Sequence, residues 1–147
     1  LETKGLWYEL NEKQRDELVK AGFDLTGCVH AAEHAMIGLT PLIAMCDRWD
    51  LGGVSYPNYP ESDLPTVFLY DGYPGGVGIT EADFDNFDEI ANMTLRLLRE
   101  CPCKSGCPGC VQSPKCGNRN EKLDKKGAAP VLEFLPEQRK ASKSGTD

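Results

Sequence analysis

The sequence predicts an α+β fold: a small β-sheet packed with several helices, plus a cysteine-rich knot near the C-terminus. Three observations predict it. Thr66-Val-Phe-Leu-Tyr-Asp71 runs β-branched and aromatic residues together between a proline and a glycine, which reads as a strand. From Thr26 to about Cys46 the chain is nearly continuous apolar sequence with few charges, which reads as a buried central helix. Five of the seven cysteines crowd into the sixteen residues from Cys101 to Cys116, a stretch too poor in large hydrophobes to build a core of its own. At 147 residues the chain is long enough for one core and too short for a two-lobed nucleotide-driven motor.

The elements follow in order. Leu6 to Leu10 reads as a short strand, and Asn11 as the N-cap of a helix of about ten residues ending near Gly22. The central helix should end or kink at Pro41. Gly52-Gly53 and the series Pro57, Pro60, Pro65 mark a loop region with a short strand at Val54 to Tyr56. After the strand at Thr66, Gly72 to Gly78 forms a glycine-rich turn, and Thr80 opens a helix with acids in its first turns and Arg96 and Arg99 in its last. Leu123 to Leu135 reads as a short helix interrupted by Pro130, and Lys140 onward as a polar tail. The expected organisation is a body over 1–100, the knot over 101–118, a C-terminal helix over 119–137 packing on the body, and a flexible tail over 138–147.

The formal charge of -7 hides an asymmetry. Residues 96–126 carry eight Lys/Arg against three acids, a local balance of +5 that leaves -12 for the rest. Such a chain has one basic face, with Lys104, Lys115, Arg119 and Lys122 as candidate phosphate contacts, and an acidic body suited to docking; a lysine-rich solvated segment has the same composition. No stretch approaches a membrane span, no signal peptide opens the sequence, and clustered cysteines fit metal ligation in a reducing compartment, so a cytoplasmic location is expected.

Cys101-Pro-Cys103-Lys-Ser-Gly-Cys107-Pro-Gly-Cys110 supplies a C-x-C pair and a C-x2-C pair, with Cys116 beyond. Zinc takes four soft ligands at tetrahedral corners, and a C-x2-C turn brings two thiolates onto one ion. The expected quartet is Cys101, Cys103, Cys107 and Cys110, with Cys116 as the substitute for Cys101. An iron–sulfur cluster and a redox dithiol at Cys107 and Cys110 are the competing readings. With no His or carboxylate between Cys101 and Cys116, a structural role is expected for the metal.

Both histidines fall in His30-Ala-Ala-Glu33-His34, formally the H-x-x-E-H pattern of inverted zinc peptidases, in which two imidazoles grip a metal and the glutamate polarises a water. The competing readings are a polar network in the core, with the imidazoles bonded to acids such as Asp47 or Asp71, and a functional surface within a larger protein. Tyr70 to Gly78 lies between a strand and a helix, where amides can hold an anion, but it lacks the Lys-Ser/Thr ending of a P-loop.

Taken in order, Cys28-Val-His30-Ala-Ala-Glu33-His34, Cys46-Asp47-Arg48, Asp50-Leu-Gly52-Gly53, Tyr70-Asp71-Gly-Tyr-Pro-Gly-Gly, the Cys-Pro-Cys and Gly-Cys-Pro-Gly-Cys turns, Ser113-Pro-Lys-Cys116-Gly-Asn118 and Leu123-Asp124-Lys125 resemble the C-terminal zinc-binding domain of MrfA-type DEAD/DEAH-box helicases over about residues 6–135. The resemblance implies that Zn2+ is held by Cys101, Cys103, Cys107 and Cys110. It implies a parent ATP-dependent superfamily 2 helicase serving DNA repair, whose two motor lobes move along single-stranded DNA, and partners that are those lobes and DNA, with no membrane. It also implies that this chain, which has no motor motifs, is not itself an enzyme. A metallohydrolase built on His30, Glu33 and His34, or a zinc-stabilised interaction module, are the alternatives.

Overall fold

The computed structural model describes residues 2–44, 50–71, 87–113, 116, 119–134 and 139–146. Cys46, Asp47, the glycine-rich turn after Asp71, the helix start at Thr80 and Lys115 lie outside the described residues.

The elements are β1 (Glu2–Glu9), α1 (Glu12–Lys20), α2 (Leu25–Leu39), α3 (Pro41–Ala44), β2 (Leu51–Tyr56), β3 (Thr66–Asp71), α4 (Phe87–Glu100), α5 (Lys125–Phe134) and β4 (Arg139–Thr146). The strands form one antiparallel sheet in the order β2-β3-β1-β4, with Leu6 opposite Leu69, Tyr8 opposite Val67 and Val54 opposite Phe68. Alternation along β1 sends Leu6 and Tyr8 into the core, while Trp7 on the other face stacks on Phe68 with the rings 6.1 Å apart.

Helix α1 starts where the sequence predicts, because Asn11 closes a capping box. Its side chain accepts from the Gln14 amide at 2.8 Å and the Gln14 side chain accepts from the Asn11 amide at 2.9 Å. Helix α2 is buried on nearly every side, from Gly27 to Leu39, since it lies between the sheet and helices α4 and α5. It stops before Pro41, which has no N–H to continue the ladder, and Thr40 turns its hydroxyl back onto the Met36 carbonyl at 2.8 Å.

Two elements differ from expectation. Pro130 does not interrupt α5: the proline removes only the bond to the carbonyl of Lys126, an exposed residue of the first turn. The segment expected as a flexible tail contains a strand, because Arg139–Thr146 pairs with β1 along the sheet edge. An edge strand needs backbone pairing and no apolar face, and a Lys- and Ser-rich sequence is the composition that protects an exposed edge.

Helices α2 and α5 approach closely at Gly127, where a Cβ would stand 2.3 Å from the buried Cys28 sulfur and 3.1 Å from the Asp124 carboxyl carbon. Gly127→Ala is therefore expected to destabilise the fold by about 1–3 kcal/mol despite the better helix propensity of alanine. Combining it with Cys28→Gly should recover part of that loss in a denaturant double-mutant cycle; strictly additive losses would contradict the close approach.

Candidate metal centres and basic cleft

The end of α4 delivers the first cysteine, since the Cys101 amide still donates to the Leu97 carbonyl at 2.9 Å. The chain then reverses at Gly106, whose φ of +126° is closed to other residues and whose Cβ would meet Val111 at 2.6 Å. Cys107 and Cys110 are brought together by a tight turn in which the Cys110 and Gln112 amides both donate to the Cys107 carbonyl, at 3.0 and 3.2 Å. Cys110 and Val111 are buried and anchor the loop in the main core.

The four sulfurs converge. The separations are 3.6 Å for Cys101–Cys103, 3.5 Å for Cys101–Cys107, 3.5 Å for Cys103–Cys110 and 3.8 Å for Cys107–Cys110, and all four lie within 4.8 Å of one another. Four Zn–S bonds at tetrahedral angles require S···S edges of roughly 3.8 Å, so the set fits a single zinc ion. A polynuclear iron–sulfur cluster would hold sulfurs bound to different irons farther apart. All described cysteines are free thiols.

Lys125, at the start of α5, reaches into the knot. Its Nζ donates to the Cys101 carbonyl at 2.9 Å, the Cys103 carbonyl at 2.6 Å and the Cys103 sulfur at 3.0 Å. Burial alone would lower its pKa, but the Cys103 bond and the charges of Cys101, Cys103 and Cys110 hold it above the usual lysine value. In turn the Lys125 bond draws the Cys103 thiol down to about 6, whereas burial pushes Cys110 up to about 12. This lysine is the knot contact that the sequence leaves unassigned; a lysine pair opening a helix carries no mark of a metal partner.

Cys116 stands apart from the quartet. Its sulfur lies 3.6 Å from His30 Nε2, and with His34 it forms a second group whose ligand atoms fall within 4.8 Å of one another. Spacing of four on α2 puts both imidazoles on one face, with ring centres 4.3 Å apart. Their Nδ1 atoms meet backbone carbonyls, His30 on Lys122 at 3.1 Å and His34 on Val111 at 2.7 Å; Asp47, one of the acids the sequence suggests as a partner, lies outside the described residues. Glu33 shares a cavity of about 320 Å³ with the two histidines, Tyr70, Ser113 and Cys116, and burial lifts its pKa to about 7 against an opposing hydrogen bond from Ser55.

Of the candidate phosphate contacts, Lys104, Arg119 and Lys122 are exposed. Lys104 and Lys122 line a cleft of about 450 Å³ together with Lys125 and Lys126, and Asp24 and Asp124 line it too. Arg119, Asn120 and Lys122 all have positive φ, at 56°, 60° and 55°, so this loop is held in a conformation that L-residues adopt reluctantly. Among the bonds that hold it are the Ser113 amide to the Asn120 side chain at 2.7 Å, the Arg119 amide to the Cys116 carbonyl at 3.3 Å, and His30 to the Lys122 carbonyl.

Comparison with known proteins places these features in context. The family model described as the MrfA Zn-binding domain matches residues 32–111. An uncharacterized protein of Methanocaldococcus jannaschii, MJ1572.1, is 40% identical over 110 residues, covering 73% of this chain and 98% of that protein. The uncharacterized ATP-dependent helicase YprA of Bacillus subtilis is 37% identical over 112 residues, covering 76% of this chain and 14% of the helicase. The crystal structure of the DUF1998 helicase MrfA bound to DNA superposes with a TM-score of 0.64 at 28% identity, over 89% of this chain and 17% of that one.

Proposed function

Because the chain belongs to the MrfA Zn-binding domain family, we propose that it is the zinc-binding accessory module of an ATP-dependent superfamily 2 helicase acting in DNA repair in the cytoplasm. Zinc is held by Cys101, Cys103, Cys107 and Cys110 and has a structural role, with four thiolates completing its shell. The observation that carries the reading is Lys125, which lines the basic cleft and bonds the zinc knot at once, so the ion fixes the floor of the surface that meets phosphate. YprA matches over only 14% of its length, and ATP hydrolysis is assigned to such a protein's remaining lobes, against which the acidic body docks. The module by itself is not an enzyme in this reading.

DNA enters as a string of phosphates, single-stranded at the point where the motor delivers it. MrfA has been solved bound to DNA, and this chain superposes on part of that helicase. Exposed Lys104, Arg119 and Lys122 are the contacts, and Lys115 is assigned to the same face from the sequence. The test is binding of a fluorescent oligonucleotide to the chain at several salt concentrations. Neutralising Z phosphates of a single strand gives a slope of about −0.7Z in log K against log salt. Lys104→Ala, Arg119→Ala and Lys122→Ala together should flatten it by about 2 and weaken binding at low salt. Binding indifferent to salt, or a slope unmoved in the triple variant, would refute the phosphate contacts.

A further inference from the structure

We propose that His30, His34 and Cys116 bind a second zinc ion, distinct from the one in the cysteine quartet, with its fourth coordination position open to the cavity that Glu33 and Tyr70 also line. The proposal is independent of the helicase reading and concerns a donor set that the four-cysteine zinc does not use.

Three observations support it. The first is tautomer control. Each imidazole points Nδ1 at a backbone carbonyl, and a carbonyl can only accept, so Nδ1 carries the proton and Nε2 keeps its lone pair. A histidine that ligates a metal is held by this outer bond, which aims the ring and raises the basicity of the coordinating nitrogen. Here two histidines have it, from carbonyls at opposite ends of the segment from Val111 to Lys122.

The second is distance. Zn–S at about 2.3 Å and Zn–N at about 2.0–2.1 Å, set at tetrahedral angles, put nitrogen and sulfur roughly 3.5 Å apart. His30 Nε2 and Cys116 Sγ are 3.6 Å apart. His34 adds a third ligand atom, and the three lie within 4.8 Å of one another. The third is space. The donors border a cavity of about 320 Å³, so a water molecule can complete the shell, as in a three-ligand zinc site with an open position.

The consequence is mechanical. Such an ion ties α2 to the segment that carries Arg119 and Lys122, where the His30–Lys122 bond already holds a backbone of positive φ. The basic loop is then set by metal on one side and by its own strained turn on the other.

The experiment is zinc counting by mass spectrometry after equilibrium dialysis of the chain against micromolar free zinc. Two equivalents are expected for the wild type, and one each for Cys116→Ser and for Cys107→Ala/Cys110→Ala. Cys116→Ser is close to isosteric at a partly exposed position, so it should keep the fold, which circular dichroism verifies. Cobalt substitution adds a readout of ligand type: the second equivalent should show weaker thiolate-to-metal charge transfer than the first, and Cys116→Ser should remove that weaker component. A wild type that takes up one equivalent and keeps it in Cys116→Ser would overturn the proposal. One equivalent lost in Cys116→Ser but kept in Cys107→Ala/Cys110→Ala would support this site and refute the quartet instead.

Discussion

Replacing Cys107 and Cys110 together by alanine is expected to remove a zinc equivalent and to lower the unfolding free energy by on the order of 5 kcal/mol, among the largest effects a double substitution can have in a chain of this size. The segment from Cys101 to Ser113 fully buries only Cys110, Val111 and Ser113, so without the ion little offsets the conformational entropy of ordering it. Zinc binding in small cysteine-rich units contributes roughly 10–16 kcal/mol, which is also their folding energy. The effect here is smaller because α2, the sheet and the upper part of α4 have a core of their own. The Cys101 amide closes the last turn of α4 on the Leu97 carbonyl, so fraying of the knot should spread into the end of that helix. Thermal denaturation with zinc counting checks the size of the loss, and hydrogen exchange checks its place: amides of 101–113 should lose protection while β1 and β3 keep theirs. A strong chelator acting on the wild type should likewise remove protection from the amides of 101–113. Unchanged melting and unchanged protection would show that the thiols are not a metal site.

What the sequence reveals and what it hides divides along local and non-local lines. Asn11 three residues before Gln14, Pro41 at a helix end and the β-branched run from Thr66 are local signals, and each sits where the backbone obeys it. The clustering of the cysteine quartet is legible for the same reason, since ten consecutive residues hold all four sulfurs. Cys116 is close in sequence to the quartet yet belongs with His30 and His34, because the turn after Val111 carries it back over α2. An odd cysteine left beside a full quartet, together with histidines spaced four apart on a helix, is the signal from which that grouping can be read. The strand at Arg139–Thr146 is hidden for the opposite reason: an edge strand made of lysine, serine and glycine has no apolar alternation to read, and only its partner β1 makes it a strand.

Lys125→Met is expected to weaken zinc binding by about 10–100-fold, the usual cost of losing an outer-shell partner of a metal ligand, and to reduce stability by roughly 2–3 kcal/mol. Four thiolates around a divalent cation carry a net charge of −2. The Lys125 ammonium, 7% exposed, is the cation that the structure places against them. Methionine keeps the length and apolar stem of the side chain but removes three bonds at once, to the Cys101 carbonyl, the Cys103 carbonyl and the Cys103 sulfur. Cys101 and Cys103 are only partly buried, so the stability loss should stay below that of breaking a fully buried ion pair. Lys125→Arg tests charge against geometry. A planar guanidinium keeps the positive charge, but its rigid fork cannot meet three acceptors gathered around one compact ammonium, so it should restore less than half of the lost affinity. Competition with a chromophoric chelator gives the affinities, and thermal denaturation of the zinc-loaded variants gives the stabilities. Wild-type affinity in Lys125→Met would mean that the thiolate charge is balanced elsewhere, and that the link between the zinc knot and the basic cleft is not made through this lysine.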